Sequence, residues 1–329
     1  MTRRPTLADV AERAGCSRAL VSIVMRDAAG ASERTRERVK QAADEIGYRP
    51  DPHAQRLRRL RSNLVGVMFA AGQEFHADVV DSLYVATEAL GFDVVLSAVT
   101  PHRDEARAVR TLVDDRCEGL VLIGPQATAR RLDDLASQIP VVVVARRTRG
   151  VDAVRSDDVA GTVLGVDHLV SLGHRRIVYL DGGRAPGAAE RLRGYRRAVR
   201  AAGLDELIQA GGLTEREGAA AASSLLAADA LPDAVFAFND RCALGVMDVL
   251  IRSGVAVPQQ VSVMGFDDSP LAGLAHISLT TIRQDCAALA GAAVERLVAR
   301  LEGTVEQADV VDVVCEPALV MRGSTVPRR

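Results

Sequence analysis

Polar side chains near the start of the chain have the types and spacing of helix caps on either side of a tight turn. Thr6 and Asp9 stand three residues apart, so the hydroxyl can accept a free backbone N–H while the carboxylate reaches back to the helix start. Gly15 permits the left-handed turn that ends such a helix, and Ser17 can cap a second one. Arg18 then contributes to a basic outer face. A helix, a glycine turn and a capped helix form the geometry that inserts a helix into the major groove.

Apolar residues at helical spacing support this interpretation. Those of the first two helices are Leu7, Val10, Ala11, Ala14, Leu20, Val21 and Val24. A third helix is predicted over residues 33–46, with Ser32 as its cap and Gly47 at its end. Two prolines then break the helical pattern. Residues 50–62 contain four arginines and little apolar surface, so we expect a hinge helix that orders on DNA.

Charge is distributed unevenly along the chain. Its 329 residues include 41 Lys or Arg and 43 Asp or Glu, which gives a net charge of −2. Residues 1–62 hold 14 basic and 8 acidic residues, a net +6, so the other 27 basic and 35 acidic residues leave −8 for the remainder. A basic head on an acidic body indicates a polyanionic partner for the head alone.

From residue 64 onwards, short apolar runs alternate with helical stretches. The predicted strands are Leu64–Phe69, Val94–Ala98, Gly119–Ile123, Val141–Val144, Ile177–Leu180, Ala234–Phe238 and Val261–Gly265. The predicted helices lie at about 77–90, 104–116, 159–172, 188–202, 216–228 and 241–253. This alternation predicts parallel sheets with helices on both faces. The strands are too many for one compact sheet, and Val154–Asp158 is interpreted as a passage between two halves. We therefore expect two α/β lobes with a cleft at the carboxyl ends of their strands.

The sequence contains no recognisable catalytic motif. The segment that begins at Asp181-Gly-Gly lacks the spacing of a dinucleotide-binding loop, and Lys40 is the only lysine, so a Walker motif is excluded. The six histidines are scattered, and the five cysteines include no Cys-x-x-Cys pair. There is no apolar run long enough to cross a membrane and no signal peptide. We expect a cytoplasmic protein that is not an enzyme and has no cofactor, metal site or membrane contact.

Three blocks of sequence together resemble the lactose/galactose repressor (LacI/GalR) family of bacterial transcription regulators. They are residues 6–27 with Ser32–Tyr48 and Arg49-Pro50, then Leu172–Ile177, and finally Val263–Asp268 with Leu279–Gln284. The resemblance covers essentially the whole chain. It implies an N-terminal all-α helix-turn-helix domain, plus an α/β core of two Rossmann-like lobes similar to type I periplasmic binding proteins.

The resemblance also implies how the chain is divided. It places a DNA-binding domain at residues 1–49, a hinge helix at 50–62 and an effector-binding and dimerisation domain at 63–329. The first lobe is expected at about 63–155 and 284–313, and the second at about 156–283 and 314–329. Family members are typically dimers that bind palindromic operators in double-stranded DNA. Some carry a C-terminal tetramerisation helix, whereas this sequence stops at Pro327-Arg-Arg, so a homodimer is expected.

The family's DNA contacts can be carried over to matching positions. Base contacts come from the start of the second helix, here Arg18, Ala19, Ser22 and Ile23, and Arg18 can donate two hydrogen bonds to guanine. Ile23 stands where many relatives have arginine, and Arg26 where asparagine is usual. We hypothesise that the operator favours A·T opposite Ile23, whose side chain can pack on a thymine methyl. The other implied DNA-binding positions are Thr6, Ser17, Ser32, Thr35, Tyr48, His53, Arg56 and Leu57, the last as a wedge in the minor groove.

The resemblance likewise implies effector contacts in the cleft. They are Phe75 and His76 in the first lobe and Arg191, Asn239 and Asp267 in the second. An aspartate that accepts hydrogen bonds from vicinal hydroxyls, beside arginine and asparagine donors and an aromatic ring, suits a sugar or polyol. Ala145 replaces an aspartate that often contacts sugar hydroxyls in the family, so the ligand is not expected to be a common hexose.

Alternatives remain open for these positions. Arg191 could be an ordinary arginine on a helix surface, His76 a half-exposed imidazole, and Asn239 only the cap of a helix. For Arg18, the alternative is a solvated charge or a phosphate contact.

The favoured function is a repressor of carbohydrate-use genes whose operator affinity is altered by a small polar effector. The rival is a constitutive or architectural DNA-binding protein with a vestigial cleft.

Overall fold

The computed structural model describes residues 5–25, 28–48, 61–228, 231–306 and 308–328. Contacts along the chain divide it into two compact units, Met1–Ser62 and Asn63–Arg329. The predicted hinge at 50–62 lies almost entirely outside the described residues. None of the described helices is long and apolar enough to cross a membrane.

In the described part of the first unit, the three predicted helices form a bundle. They are α1 (Leu7–Ala14), α2 (Arg18–Met25) and α3 (Glu33–Glu45). Thr6 and Asp9 form the predicted capping box, in which the Thr6 N–H donates to Asp9 Oδ2 at 2.6 Å. Gly15 adopts a φ of +62° after α1, a conformation that favours glycine. The buried core consists of Val10, Ala11, Ala14, Val21, Val24, Val39, Ala42 and Ala43.

The first lobe of the second unit contains a parallel sheet of six strands. Its elements before the first crossing are β1 (Leu64–Ala70), α4 (Glu74–Glu88), β2 (Asp93–Val99), α5 (Glu105–Asp114), β3 (Gly119–Ile123), α6 (Ala129–Ala136), β4 (Val141–Val144) and β5 (Asp152–Ser156). Two later elements, α11 (Cys286–Leu301) and β11 (Asp312–Cys315), return to this lobe. The strand order is β11-β5-β4-β3-β1-β2, so β2 and β11 lie at the edges.

The second lobe contains a parallel sheet of four strands in the order β7-β6-β8-β9. Its elements are α7 (Asp158–Ser171), β6 (Ile177–Asp181), α8 (Ala188–Ala201), β7 (Leu207–Ala210), α9 (Glu215–Leu226), β8 (Ala234–Ala237), α10 (Asp240–Arg252), β9 (Ser262–Met264), a 3₁₀ turn (Pro270–Gly273), β10 (Thr281–Arg283) and β12 (Ala318–Val320). Strands β10 and β12 pair antiparallel beside the sheet. Each lobe buries an apolar cluster on both faces of its sheet.

The chain crosses between the lobes three times, after β5, after β10 and after β11. The first crossing does lie within Val154–Asp158, as predicted, but only the end of this segment is a passage. Its first three residues belong to β5, whose segment Asp152–Ser156 lies between β4 and β11 in the sheet. Strand β11 also extends to Cys315, two residues beyond the predicted end of the first-lobe segment.

Two glycines allow α9 and α10 to pack with their backbones in close contact. A Cβ atom at Gly245 would overlap the carbonyl oxygen of Glu215, and one at Gly218 would overlap the carbonyl oxygen of Cys242. No other residue type fits either position without moving a backbone. The close approach also brings Glu215 beside Arg241, whose Nε and Nη2 each donate to a Glu215 carboxylate oxygen at 2.7 Å.

Candidate functional site

A cavity of about 100 Å³ lies between the carboxyl ends of the two sheets. It is lined from the first lobe by Ala70, Gln73, Phe75, His76, Gly124, Gln126 and Ala145, from the second by Asp158, Ala185, Pro186, Arg191, Leu213, Phe238, Asn239 and Asp267, and at a crossing by Gln284. All five residues expected to contact an effector are therefore brought together.

Arg191 is buried in the second lobe with its guanidinium surrounded by partners. Its Nε donates to Asp158 Oδ1 at 2.8 Å, and its Nη1 donates to the carbonyl oxygen of Phe238 at 2.7 Å. Its Nη2 lies 3.5 Å from Asp267 Oδ1. The guanidinium carbon is 3.6 Å from the centre of the Phe266 ring, a cation–π contact. The alternative of an ordinary surface arginine is therefore wrong, since the residue is only 6% exposed.

Asp267 lies shortly after β9, at the edge of the sheet that faces the cleft. Its backbone has a φ of +115°, and its N–H donates to the carbonyl oxygen of Ile282 at 2.8 Å. Its Oδ1 accepts a hydrogen bond from Gln284 Nε2 at 2.8 Å. Burial raises the pKa of Asp267 to about 6, although the nearby Arg191 opposes this shift. The unusual backbone conformation thus directs a hydrogen-bonding carboxyl group into the cavity.

Asp158 belongs to the same cluster, and the sequence analysis missed it as a site residue. It opens α7 directly after β5, and it is 6% exposed. Burial raises its pKa, while the ion pair with Arg191 opposes the shift. The signal that pointed to Asp267, an acidic residue just beyond a strand, would also have pointed to Asp158 if β5 had been predicted.

His76 is a neutral hydrogen-bond donor on the first-lobe side. The Ala70 N–H donates to its Nδ1 at 3.0 Å, so the ring proton lies on Nε2. Burial lowers the pKa of His76 to about 4, and the residue is 7% exposed rather than half-exposed, so that alternative is wrong. A Cβ atom at Gly124 would lie 2.9 Å from His76 Nε2 and 3.3 Å from Pro186 Cγ, so this turn keeps the two lobes close. Phe75 meets His76 edge to face.

Asn239 lines the cavity and also caps a helix, the alternative left open by the sequence. Its Oδ1 accepts the Cys242 N–H at 2.9 Å at the start of α10. Its Nδ2 donates to the carbonyl oxygen of Leu213 at 3.2 Å. The side chain thus positions two walls of the cavity.

One contact links the lobes beside the cavity. Arg241, at the start of α10, donates from Nη1 to the carbonyl oxygen of Gly72 in the first lobe. The same guanidinium pairs with Glu215, and its charge also acts on Glu74 of the first lobe. We define this Glu215–Arg241–Gly72 contact as the interlobe latch.

Asp240, beneath the cavity, predicts a specific pH dependence. It is 1% exposed, and its carboxylate accepts hydrogen bonds from Ser269 N–H at 2.7 Å and Thr281 Oγ1 at 2.6 Å. Burial, and then the charge of Asp267, raise the pKa of Asp240 to about 8. The folded protein therefore holds this proton up to about pH 8, whereas the unfolded carboxyl releases it near pH 4. Because the native state binds the extra proton, stability falls as pH rises between these values.

We expect the free energy of unfolding to fall from pH 6.5 to 8, by at most about 1.4 kcal/mol per pH unit. The change Asp240→Asn should remove this decline, because the amide resembles the protonated acid. Urea unfolding at several pH values measures it. The control is Asp248→Asn on the same helix, whose carboxylate is 59% exposed and should leave the slope unchanged. An equal slope in Asp240→Asn and the parent would contradict the prediction.

The predicted DNA-reading positions lie on the first unit. Arg18 and Ala19 are exposed at the start of α2, whereas Ser22 and Ile23 are half-buried. The Ile23 side chain lies 3.9 Å from where a Cβ atom of Gly30 would stand, so it packs beside that turn. The Ile23 side chain therefore also packs within the bundle and is not fully available at the surface.

Three of the positions implied as phosphate contacts have their side chains at helix starts. Thr6 belongs to the capping box, Ser17 Oγ accepts the Leu20 N–H at 3.2 Å, and Ser32 Oγ accepts the Thr35 N–H at 3.4 Å. Tyr48 is half-buried after α3. The predicted contacts Arg26, His53, Arg56 and Leu57 lie outside the described residues.

Comparisons with known proteins agree with this architecture. Residues 6–51 match the profile of bacterial regulatory proteins of the lacI family, and residues 166–325 match that of a periplasmic binding protein-like domain. The HTH-type transcriptional regulator GalS of Salmonella typhimurium is 33% identical, over 98% of this chain and 97% of its own.

Three solved structures are similar as well. A LacI transcriptional regulator from a Rhodococcus species is 47% identical with a TM-score of 0.77, over 80% of this chain and 98% of its own. A lac repressor dimer bound to operator and the anti-inducer ONPF is 29% identical with a TM-score of 0.84, over 98% and 100%. A complex of the transcriptional regulator CelR with cellobiose is 32% identical with a TM-score of 0.72, over 98% and 100%. The helix-turn-helix unit, the two-lobed core and these relatives together show that the chain belongs to the lacI family of bacterial regulatory proteins, as a DNA-binding transcriptional regulator and not an enzyme.

Proposed function

We propose that this regulator is a cytoplasmic homodimer that represses genes for carbohydrate use. A small sugar or polyol in the cleft would alter its affinity for a palindromic operator. The observation that carries this proposal is the buried cluster of Arg191, Asp158 and Asp267, which faces the His76 donor across the lobe boundary. Buried polar groups that converge on a cavity are typical of a ligand site. The lac repressor bound to operator and anti-inducer and the CelR complex with cellobiose support it by similarity.

Ligand binding would be coupled to DNA binding through the relative positions of the lobes. The three crossings form a hinge, and a ligand that contacts both lobes favours the arrangement in which its two sets of contacts are made. We assign the DNA-binding domain to residues 1–49, the hinge helix to 50–62 and the effector-binding core to 63–329. In a dimer, the two heads would read the two halves of the operator.

Similarity to the lac repressor dimer bound to operator supports the dimer.

We assign base contacts to Arg18, Ala19, Ser22 and Ile23, and phosphate contacts to Thr6, Ser17, Ser32, Thr35 and Tyr48.

The change Arg18→Ala is expected to weaken operator binding by about 1–3 kcal/mol and to relax base preference at one position of each half-site. Fluorescence anisotropy with the operator and single-base variants measures both effects. Arg38→Ala, on the exposed face of α3, is the control for lost charge. Uniform weakening on all sequences would instead make Arg18 a phosphate contact.

The test of the proposal uses palindromes upstream of the protein's own gene. We expect tight, salt-sensitive binding that one sugar or polyol alters by about tenfold or more. Tight binding that no compound alters would refute the effector role and favour a constitutive DNA-binding protein with a vestigial cleft. Absence of specific binding to any palindrome would refute the operator assignment.

A further inference from the structure

The residues that line the cavity include more acidic than basic side chains. Its lining contains one cation, Arg191, and two carboxyl groups, Asp158 and Asp267. His76 adds no charge at neutral pH, because burial lowers its pKa to about 4. The remaining lining residues are uncharged. An anionic ligand would therefore meet a site with no surplus of positive charge.

The single cation is also already engaged. Arg191 donates to Asp158 and to the carbonyl oxygen of Phe238, and it faces Asp267 at 3.5 Å. A ligand phosphate would have to share this single positive charge with two buried carboxyl groups. Placing a third anionic group beside one cation is unfavourable in a desolvated site.

Helix starts provide the second way in which α/β proteins bind anions, because free N–H groups and the helix dipole concentrate positive charge there. Of the helices that begin beside this cavity, α11 has no acidic residue in its first turn but is capped by Asp285, and four others each have one there. These residues are Glu74 in α4, Asp158 in α7, Glu190 in α8 and Asp240 in α10. The positive ends of α4, α7 and α8 are therefore offset by this chain's own acidic side chains, whereas Asp240 is protonated at neutral pH because burial raises its pKa to about 8.

We infer that the cleft selects an uncharged, polyhydroxylated ligand and rejects its phosphorylated counterpart. The inference rests on the proposed effector role and narrows the class of effector. The His76 Nε2–H can donate to a ligand hydroxyl, and Asp267 can accept from one.

The experiment compares each sugar with its own phosphate on the full-length protein. The pairs are ribose and ribose 5-phosphate, glucose and glucose 6-phosphate, and galactose and galactose 1-phosphate, with xylitol and xylitol 5-phosphate as the acyclic pair. Isothermal titration calorimetry gives affinities, and operator anisotropy gives the effect on DNA binding. We expect at least one uncharged member to bind and its phosphate to bind at least about a hundredfold more weakly.

A charge variant tests the cause of the discrimination. Gln73 lines the cavity at the start of α4 and makes no side-chain capping hydrogen bond, so its replacement removes no cap. Gln73→Arg should narrow the affinity ratio within a pair by about tenfold or more. Gln73→Met, of similar length but uncharged, should change both affinities by the same factor.

The outcomes separate this inference from the proposed function. A phosphorylated member that binds as tightly as its sugar, or more tightly, and alters operator binding would overturn the charge inference while supporting an effector role. Failure of every compound to bind or to alter operator affinity would count against the effector role itself, and the charge inference would fall with it. An unchanged ratio in Gln73→Arg would show that charge is not the basis of selection.

Discussion

Replacement of Arg191 by methionine is expected to lower the free energy of unfolding by about 3–5 kcal/mol and to abolish the response to effector. Methionine keeps an apolar stem between the rings of Phe238 and Phe266, so the change removes mainly the charge and the hydrogen bonds. Asp158 and Asp267 would then lose the buried cation that they share. Because both can be neutralised by protonation, the deficit should shrink as pH falls towards 5.

Urea unfolding followed by tyrosine fluorescence measures this loss. The chain has no tryptophan, and two of its four tyrosines, Tyr179 and Tyr195, stack in the second-lobe core with ring centres 5.0 Å apart. The control is Arg193→Met on the same helix, where the side chain is 60% exposed and an effect within about 0.5 kcal/mol is expected. A loss below about 1 kcal/mol for Arg191→Met would show that the cluster is not held by its buried charge pairs.

The second large effect is expected from Gly245→Ala in α10, with a loss of about 3 kcal/mol. The added methyl group would overlap the backbone of Glu215, which cannot rotate away as a side chain would. The two helices must separate, and the Glu215–Arg241 pair of the interlobe latch should be displaced with them. We therefore expect altered effector affinity as well as lower stability.

The matched control is Gly291→Ala in α11, where nothing lies within 4 Å of an added Cβ atom. Alanine favours the helix over glycine there, so this variant should gain about 1 kcal/mol. The same urea experiment measures both variants. If Gly245→Ala behaved like Gly291→Ala, the close approach of α9 and α10 would not be required for stability.

Features set by local chemistry were predictable from the sequence. The capping box of Thr6 and Asp9, the turn at Gly15 and the cap at Ser17 depend on residues within a few positions of one another. Strands such as Val141–Val144 were predictable for a similar reason, since a short, wholly apolar run is typical of a strand buried on both faces.

Elements set by distant contacts were missed or misread. Strand β5 contains only two apolar residues, Ala153 and Val154, and is buried because β4 and β11 flank it. Helix α6 has only eight residues and fully buries only Leu132, with Leu135 and Ala136 partly buried, so its apolar face was too short to be recognised. Short β7, β10 and β12 and the long helix α11 were likewise not predicted.

For the site, resemblance named five cleft residues that the structure does bring together, but their roles there remain proposals. Pairing and charge state depended on the fold. The contact of Arg191 with Asp158 joins α8 to α7, and the neutral form of His76 follows from burial and a backbone donor. Neither the Arg191–Asp158 ion pair nor the neutral state of His76 can be predicted from the spacing of residues along the chain.

The three crossings of the chain between the lobes have a consequence for protein synthesis. The first-lobe sheet lacks its edge strand until Cys315 has been made, and in the second lobe the hydrogen bond from Ser324 Oγ to the carbonyl oxygen of Val263 forms later still. The three-helix bundle, in contrast, needs only the residues up to Tyr48. A ribosome that releases the chain from its N-terminus therefore completes the bundle long before either lobe. Premature termination would therefore yield folded helical bundles without a complete cleft. The chain must be translated to its last few residues before it can respond to a ligand.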